Sequence, residues 1–324
     1  MKIRKKMNRP LVVLGASSVL LAFAGAASAT VNIALVPVGN PGNAADTTGF
    51  GSVAYSYKIG EYDVTASQYT AFLNAVAATD TYGVYNSAMS GTTSGNPGIV
   101  QSGSPGNYTY SVIDGRGNHP VTDVTFWDTT RFANWLDNGQ PNGPEGPGTT
   151  ETGTYTLTPV GMANYTITRN ANSTWAVTSE NEWYKAAYYT PLGGTGNGNG
   201  NYWMFATQGN SVSTSQANFG DVNDDTTPVG SYAYPSYYGT YDQDGDAFQW
   251  SEPVSVGSAP DLRGGSFQSS SLGLLQSVFN DGAAPTADYY DLGFRVSQVP
   301  EPASMGLLGL GAMGMLVRRR GVKR

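Results

Sequence analysis

The sequence contains no cysteine and only one histidine among its 324 residues. It therefore cannot form disulfides, thiolate nucleophiles, iron–sulfur clusters or cysteine-ligated zinc sites. A zinc site built on several histidines is excluded as well, so we expect no zinc. Charged residues are also scarce: they make up 13% of the chain, about half the share found in an ordinary soluble protein.

Basic residues are nearly absent from the middle of the chain. Of the 17 lysines and arginines, five lie at positions 1–9 and five at 318–324, which leaves seven between positions 30 and 298. That stretch carries 23 of the 24 acidic residues, so its formal net charge is −16. A body this acidic is repelled by phosphate backbones. We therefore expect no nucleic-acid partner and regard divalent cations as more natural ligands.

The first 29 residues have the pattern of a secretory signal peptide. A basic start is followed by an apolar run at positions 11–27, and the segment ends in the small residues Ala27, Ser28 and Ala29. This order predicts export and cleavage after Ala29. The alternative is a transmembrane anchor, although the apolar run is short for one.

The C-terminal segment, residues 299–324, has a different pattern. The sequence PEP at 300–302 is followed by an apolar run at 303–317 and three arginines at 318–320. As a helix the run is roughly 22 Å long, somewhat short of the hydrocarbon core, and the arginines favour the cytoplasmic side. This order resembles the PEP-CTERM sorting signal of Gram-negative bacteria. The resemblance implies processing by an exosortase near the PEP sequence, membrane contact only through this helix before processing, and release to the cell surface or extracellular matrix. A permanent anchor is the alternative.

Three segments of the body are predicted to be helices. Each starts with a capping box, at positions 65–68, 125–128 and 179–182, and continues with apolar residues at helical spacing. Such apolar stripes are typical of packing against a core. We also expect Arg263 and Arg295 to be buried and to hold loops by pairing with acids or carbonyls.

The rest of the body predicts short strands joined by long loops rich in glycine, asparagine, proline and serine. Residues 154–157 and 165–168 are predicted to pair as a hairpin. No internal repeat and no second linker occurs. We therefore predict a single α+β domain over residues 30–298 with little regular structure.

Six motifs of the body occur in a recognisable order. They are YKIGEYDVT at 57–65, HPVTDVTF at 119–126, WAVTSENEW at 175–183, TPVGS at 227–231 with YGTYDQDGDAFQW at 238–250, RGGSF at 263–267 and GFR at 293–295. This order resembles that of the formylglycine-generating enzyme (sulfatase-modifying factor) family and covers nearly the whole body. The resemblance implies a C-type-lectin-like α+β fold with few regular elements and long loops.

The resemblance also implies what the active site should contain. The family's enzymes oxidise a substrate cysteine with two cysteines of their own, which bind copper just after the RGGSF motif. Here Ser269 and Leu274 occupy those two positions. A serine hydroxyl is not the soft thiolate that copper(I) prefers, and leucine supplies no ligand. We expect no copper and no family oxidase activity, and the alternative is an enzyme with altered, non-copper chemistry near Ser269.

Calcium is the part of the family's chemistry that this sequence can retain. The resemblance implies two sites, whose matching residues are Asn218, Phe219, Asp221 and Asn223 for the first and Asp242, Gly245, Ala247 and Gln249 for the second. Phe219, Asn223, Gly245 and Ala247 would act through backbone carbonyls. At the last position the family has glutamate, so glutamine loses one charge and bidentate ligation.

The residues themselves give separate support for a cation. No lysine or arginine lies between positions 185 and 263, whereas seven acidic residues lie between 221 and 252. Close carboxylates repel one another unless they are protonated or bridged by a cation, and calcium prefers such oxygen ligands. The alternative is a solvated acidic loop whose carboxylates cap turns.

These patterns predict an exported, surface-sorted, non-catalytic binding or structural protein on a calcium-stabilised scaffold. Its expected partner is an extracellular polysaccharide or another surface protein. Tyrosines at positions 232–238 have faces suited to stacking on sugar rings, although large aromatic side chains more often pack beneath long loops.

Overall fold

The computed structural model describes residues 30–91, 97–194 and 200–300. The predicted signal peptide, residues 1–29, lies outside the described residues. The apolar run and arginine cluster of the predicted sorting signal also lie outside them. Within the described ranges, no helix is long and apolar enough to cross a membrane.

Short helices and strands alternate with long loops along the body. In chain order they are β1 (Leu35–Val38), β2 (Tyr57–Gly60), α1 (Ala66–Val76), β3 (Ile99–Ser102), β4 (Thr109–Val112), α2 (Phe126–Asp137), α3 (Pro159–Ala163), β5 (Trp175–Val177), α4 (Glu180–Tyr188), β6 (Phe248–Ser251), β7 (Asp261–Arg263), β8 (Asp281–Gly282), β9 (Leu292–Phe294) and β10 (Val296–Gln298). Two single-turn 3-10 helices, Ser87–Ser90 and Leu272–Leu274, lie in the loops.

The strands form two four-stranded sheets and one hairpin. The first sheet has the order β1-β2-β10-β5 and is antiparallel throughout. The second has the order β8-β7-β6-β9, in which β6 and β9 are parallel. Strands β3 and β4 pair with each other. Because β10 lies between β2 and β5, the last strand of the body pairs on both sides. The pairing continues one residue further, where the Val299 N–H donates to the Thr174 carbonyl at 2.9 Å.

The three predicted helices are confirmed as α1, α2 and α4. Each has its predicted capping box: the side chain of the first residue accepts from the backbone N–H three residues on, and the backbone N–H of the first residue donates to the side chain of that later residue. The aromatic stripes of α1 and α2 meet in the main core. There Phe132 packs on Phe72 and Phe294 with ring centroids 5.5 and 5.4 Å apart. Local capping and helical periodicity were sufficient to define these elements.

The predicted hairpin of residues 154–157 and 165–168 is wrong. The segment between them forms α3, because Thr158 caps it by accepting from the Gly161 N–H at 3.1 Å. Pro159 at the first helical position has a backbone torsion already suited to a helix and has no N–H to give to a strand. Only an isolated bridge between Tyr155 and Arg169 remains of the expected pairing.

Arg295 is fully buried and links two loops and strand β6 of the second sheet to the first sheet. Its Nε–H donates to the Gln249 side-chain oxygen at 2.6 Å, and Nη1 donates to the Gly60 carbonyl at 2.9 Å. Its Nη2 donates to Asp63 at 3.2 Å and to the Tyr241 carbonyl at 2.8 Å. The guanidinium thus neutralises one buried carboxylate and satisfies the polar backbone of the loops around it.

Two more arginines hold the start of α4. Arg263 donates from Nε to Glu180 at 2.6 Å, and its guanidinium lies 4.9 Å from the ring centre of Phe50. Arg169 pairs with Glu182 at 2.8 Å. The expectation that Arg263 and Arg295 are buried and bridge loops is confirmed. Since the loops have little regular structure, these charged hydrogen bonds replace much of what a sheet ladder would supply.

Candidate functional site

The position of the first family cysteine is a closed turn. Ser269 is 3% exposed, and its hydroxyl accepts from the Ser266 N–H at 2.9 Å. Its own N–H donates back to the Ser266 carbonyl at 2.9 Å. The hydroxyl therefore stabilises the turn, and Ser269 does not line the cavities beside Asp244, Glu252, Asp123 or Lys58.

The position of the second family cysteine lies against a small apolar cluster. Leu274 is half-buried and packs on the cluster formed by Phe205, Val212, Ala217, Phe219 and Leu275. It lines none of the same four cavities either. An apolar side chain here extends the core instead of presenting a ligand.

The first predicted calcium set is only partly brought together. Asn218 is buried: its Nδ2 donates to Asp246 Oδ1 at 2.8 Å, and its Oδ1 accepts from Asn223 at 2.9 Å. Asp221 and Asn223 are exposed. Phe219 is buried in the apolar cluster beside Leu275.

The second predicted set lies directly against the first. Gly245 forms a bridge with Asn218, and a Cβ at Gly245 would stand 2.1 Å from the Asn218 carbonyl oxygen. With its φ of +79°, this position accepts only glycine without rearrangement. Asp242 is half-buried nearby and accepts from the Gly230 N–H at 2.7 Å. Ala247 is fully buried.

Gln249, the last predicted calcium ligand, takes part in an internal hydrogen-bond network. Its side-chain oxygen accepts from Trp183 Nε1 and from Arg295 Nε, both at 2.6 Å. Because both partners can only donate, the oxygen must face them, and the NH2 group then faces the Asp242 carbonyl at 2.9 Å. A glutamate at this position would turn a carboxylate towards that carbonyl and towards Asp63, so the glutamine is suited to an internal hydrogen-bond network.

One small cavity joins the two predicted sets. Its volume is about 10 Å³, and Asn218, Asp242, Asp244 and Asp246 are among the residues that line it. Such a volume holds about one water-sized particle. Asp244 Oδ1 and Asp246 Oδ2 are buried without a hydrogen-bond partner among the described residues. Two unsatisfied carboxylate oxygens beside a single-atom cavity are what a bound cation would use.

The electrostatics of this cavity agree with that geometry. Burial raises the pKa of Asp244 to about 7. Burial also raises the pKa of Asp246, and the neighbouring charge of Asp242 raises it further. Across the described ranges, no three His, Asp or Glu side chains are arranged to hold a metal by themselves. A cation here therefore needs neutral oxygens as well, which calcium readily accepts.

The motif comparison missed Asp244 and Asp246 as candidate ligands. The sequence pattern that could have indicated them is the run of acids at every second position from 242 to 246. Such spacing alone does not show that the two side chains share one buried cavity, since that requires the loop conformation. Asp242 and Asp246 both have positive φ, near 59° and 65°, a conformation that aspartate tolerates better than most residues.

The tyrosines of residues 232–238 divide into two groups. Tyr234 and Tyr237 are 46% and 36% exposed. Tyr238 instead stacks on Tyr189 with an interplanar angle of 11° and donates to Asn40 at 2.9 Å. Only part of this segment therefore offers free aromatic faces.

Comparison with known families gives two matches. The family described as "Sulfatase-modifying factor enzyme 1-like domain" matches residues 38–299. The PEP-CTERM protein-sorting motif matches residues 298–320. No curated protein gives a significant match.

Several solved structures are similar to the body. CarF is 19% identical over 84% of this chain and 100% of its own, with a TM-score of 0.53. Treponema denticola variable protein 1 is 19% identical over 85% of this chain and 98% of its own, also at 0.53. PvdO from Pseudomonas aeruginosa is 19% identical over 83% of this chain and 92% of its own, at 0.46. At this identity, the first two likenesses concern the fold alone.

Proposed function

The chain belongs to the sulfatase-modifying factor family, and from that premise we propose that it is an exported, surface-sorted binding or structural protein without catalytic activity. Its PEP-CTERM motif implies exosortase processing, export and sorting to the cell surface. The predicted signal peptide at 1–29 would direct the export. The proposed partner is an extracellular polysaccharide or another surface protein.

One observation carries the non-catalytic part of this proposal. The two positions of the family's copper-binding cysteines hold a serine whose hydroxyl closes a turn and a leucine that packs on an apolar cluster. A soft metal has no thiolate to bind anywhere in the chain. The alternative, altered chemistry near Ser269, gains no support, because that side chain is buried and lines none of the four cavities described above.

Calcium is part of the proposal as a structural cation. Asn218, Asp242, Asp244 and Asp246 fit such an ion because they share the small cavity and two of their oxygens are unsatisfied. Backbone oxygens of Gly245 and Ala247 stay predicted ligands, as do Phe219, Asp221 and Asn223. Bound calcium would supply the positive charge that the cavity lacks, and so would hold the 242–246 loop against Asn218.

Binding to a panel of immobilised polysaccharides tests the proposed function. We expect saturable binding of the purified full-length chain to at least one extracellular polysaccharide, in calcium-containing buffer. A parallel assay should detect no oxygen-dependent oxidation of a cysteine peptide with copper present, because the thiolates are missing. Copper-dependent oxidation of the peptide would contradict the proposal. Failure to bind any polysaccharide would exclude extracellular polysaccharide as the partner in the proposed function.

A further inference from the structure

A second cavity, lined in part by Thr125 and Asp128 at the start of α2, has a composition that the proposed function does not use. Its volume is about 450 Å³, within the range of roughly 300–1,000 Å³ typical of small-molecule sites. The acidic side chains that line it come from three separate parts of the chain, and the half-buried Tyr85 and Tyr108 add aromatic surface; these acids are Asp80, Asp123, Asp128 and Asp288. We refer to this cavity as the acidic groove.

The charge of the acidic groove is not balanced by basic side chains. No lysine or arginine is among its lining residues. The neighbouring Arg131 donates to Glu151 at 2.7 Å, lies 3.6 Å from Asp128 and stacks over Tyr82 at 5.0 Å. One guanidinium already shared between two acids cannot neutralise the remaining carboxylates. The groove therefore presents excess negative charge to a ligand.

Asp123 gives an independent indication of a ligand. It is 2% exposed, and its Oδ2 atom is buried without a hydrogen-bond partner within the described chain. Burial, followed by the charges of Asp288 and Asp291, raises the pKa of its carboxyl to about 7. A buried carboxylate oxygen left without a donor is costly. A donor supplied by a ligand in the groove would remove that cost.

The arrangement of the acidic groove favours an organic ammonium group over a metal ion. Its carboxylates come from three parts of the chain, and no three acids in the described residues converge as metal ligands. The volume is also far larger than a single ion needs. Separated carboxylates beside tyrosine rings suit an organic ammonium group on a ring-shaped body, because the acids bind the amine and hydroxyls while aromatic faces cover the ring.

We propose that the acidic groove binds a protonated amino sugar unit of an extracellular polysaccharide. This inference rests on the proposed function, since it names the class of glycan and the site that binds it. Asp123 and Asp288 bind the ammonium group, and Tyr85 or Tyr108 covers the ring. An N-acetylated sugar lacks the charge and loses this attraction.

Isothermal titration calorimetry of the purified full-length chain tests this inference. The ligands are a glucosamine trimer with free amines and its fully N-acetylated counterpart, at neutral pH. We expect the free-amine trimer to bind and the acetylated trimer to bind at least about tenfold more weakly, since one partner of each charge pair is lost. Equal binding of the two trimers, or no binding of the free-amine trimer, would overturn the inference.

Variants locate the site. Asp123→Asn keeps the shape and tolerates the positive φ of 59° at this position, and Asp288→Asn changes an exposed residue, so at least one variant remains folded. Each should weaken the free-amine trimer by about tenfold or more. Asp281→Asn is the matched control, because Asp281 is exposed and does not line the groove. Unchanged binding in both groove variants would overturn the inference.

The polysaccharide panel separates this inference from the proposed function. Binding to a neutral polysaccharide, with no preference for amino sugars, would overturn the inference and leave the proposed function standing. Binding to no polysaccharide at all would count against both.

Discussion

Glu180 and Glu182 lie two residues apart at the start of α4. Glu180 binds the buried Arg263 at 2.6 Å, and Glu182 binds the half-buried Arg169 at 2.8 Å. Asp244 and Asp246 are also buried and two residues apart, yet each has a carboxylate oxygen with no partner among the described residues. Both pairs are buried carboxylates, but they differ in the groups that neutralise their charge. The glutamates carry their counter-charge within the chain, whereas the aspartates need a proton or an external cation.

This difference is reflected in the pKa values of Glu182 and Asp244. Burial alone would raise the pKa of Glu182, but the charge of Arg169 lowers it below its ordinary value. At Asp244 no positive charge offsets the effect of burial, and the pKa rises to about 7. The arginine-held region therefore stabilises the fold at neutral pH without help. The aspartate region costs stability at neutral pH until a cation binds.

Replacing Arg263 with methionine should have the largest effect. Methionine cannot neutralise Glu180, so the variant keeps a buried charge without its partner. We expect the free energy of unfolding to fall by about 3–5 kcal/mol. Chemical denaturation measures this change.

Two controls sharpen the result at Arg263. Adding Glu180→Gln should recover part of the loss, because it removes the unpaired charge. Arg116→Met breaks the partly exposed ion pair with Asp225 and should cost at most about 1 kcal/mol. An effect at Arg263 no larger than that at Arg116 would contradict the importance of the buried arginines.

Calcium should produce the next largest effect. Relative to a chelator control, calcium at a hundredfold excess over its dissociation constant should raise the free energy of unfolding by about 2.7 kcal/mol. Asp246→Asn should abolish most of that increase, whereas the exposed Asp281→Asn should retain it. The same calcium effect in Asp246→Asn and the unchanged chain would show that the ion binds elsewhere.

The calcium effect should depend on pH. The folded-state pKa of Asp244 is raised to about 7, above about 3.9 for an exposed aspartate. Without calcium the folded state binds this proton more tightly, so its contribution to stability is lost as pH rises from about 4 to 7. Protons and calcium compete for the same oxygens. The increase in melting temperature caused by calcium should therefore be larger at pH 8 than at pH 5, and the reverse order would contradict the proposed ligands.

The smallest change in stability should come from replacing a single carboxylate in each of the two regions. Without calcium at pH 8, Asp244→Asn should stabilise the chain, because it removes a buried charge that has no counter-charge. Glu180→Gln should have the opposite sign, because it leaves Arg263 unpaired. Denaturation of both variants measures the two signs, and equal signs would contradict the comparison.

Local signals in the sequence predicted much of the fold. The capping boxes at Thr65, Thr125 and Ser179 predicted three helix starts, because a cap involves residues only three positions apart. The hairpin prediction failed because alternating residues on both sides of α3 suggested strands, while Thr158 and Pro159 start a helix between them.

The sites were less predictable because their residues meet only through the fold. Asn218 reaches Asp246 across 28 positions, and the orientation of the Gln249 amide depends on Trp183 and Arg295. The acidic groove joins Asp80 to Asp288, more than 200 positions apart. No spacing rule relates such residues, so the excess of acids in the sequence indicated a cation without locating it.

Carboxylates without an arginine partner, and not thiols, are the groups available to a metal in this protein. The most direct test is the metal content of the purified full-length chain after dialysis against equal concentrations of calcium and copper(I). We predict about one calcium ion per chain and no copper, since oxygen ligands prefer the hard ion. One bound copper ion and no bound calcium per chain would contradict this prediction.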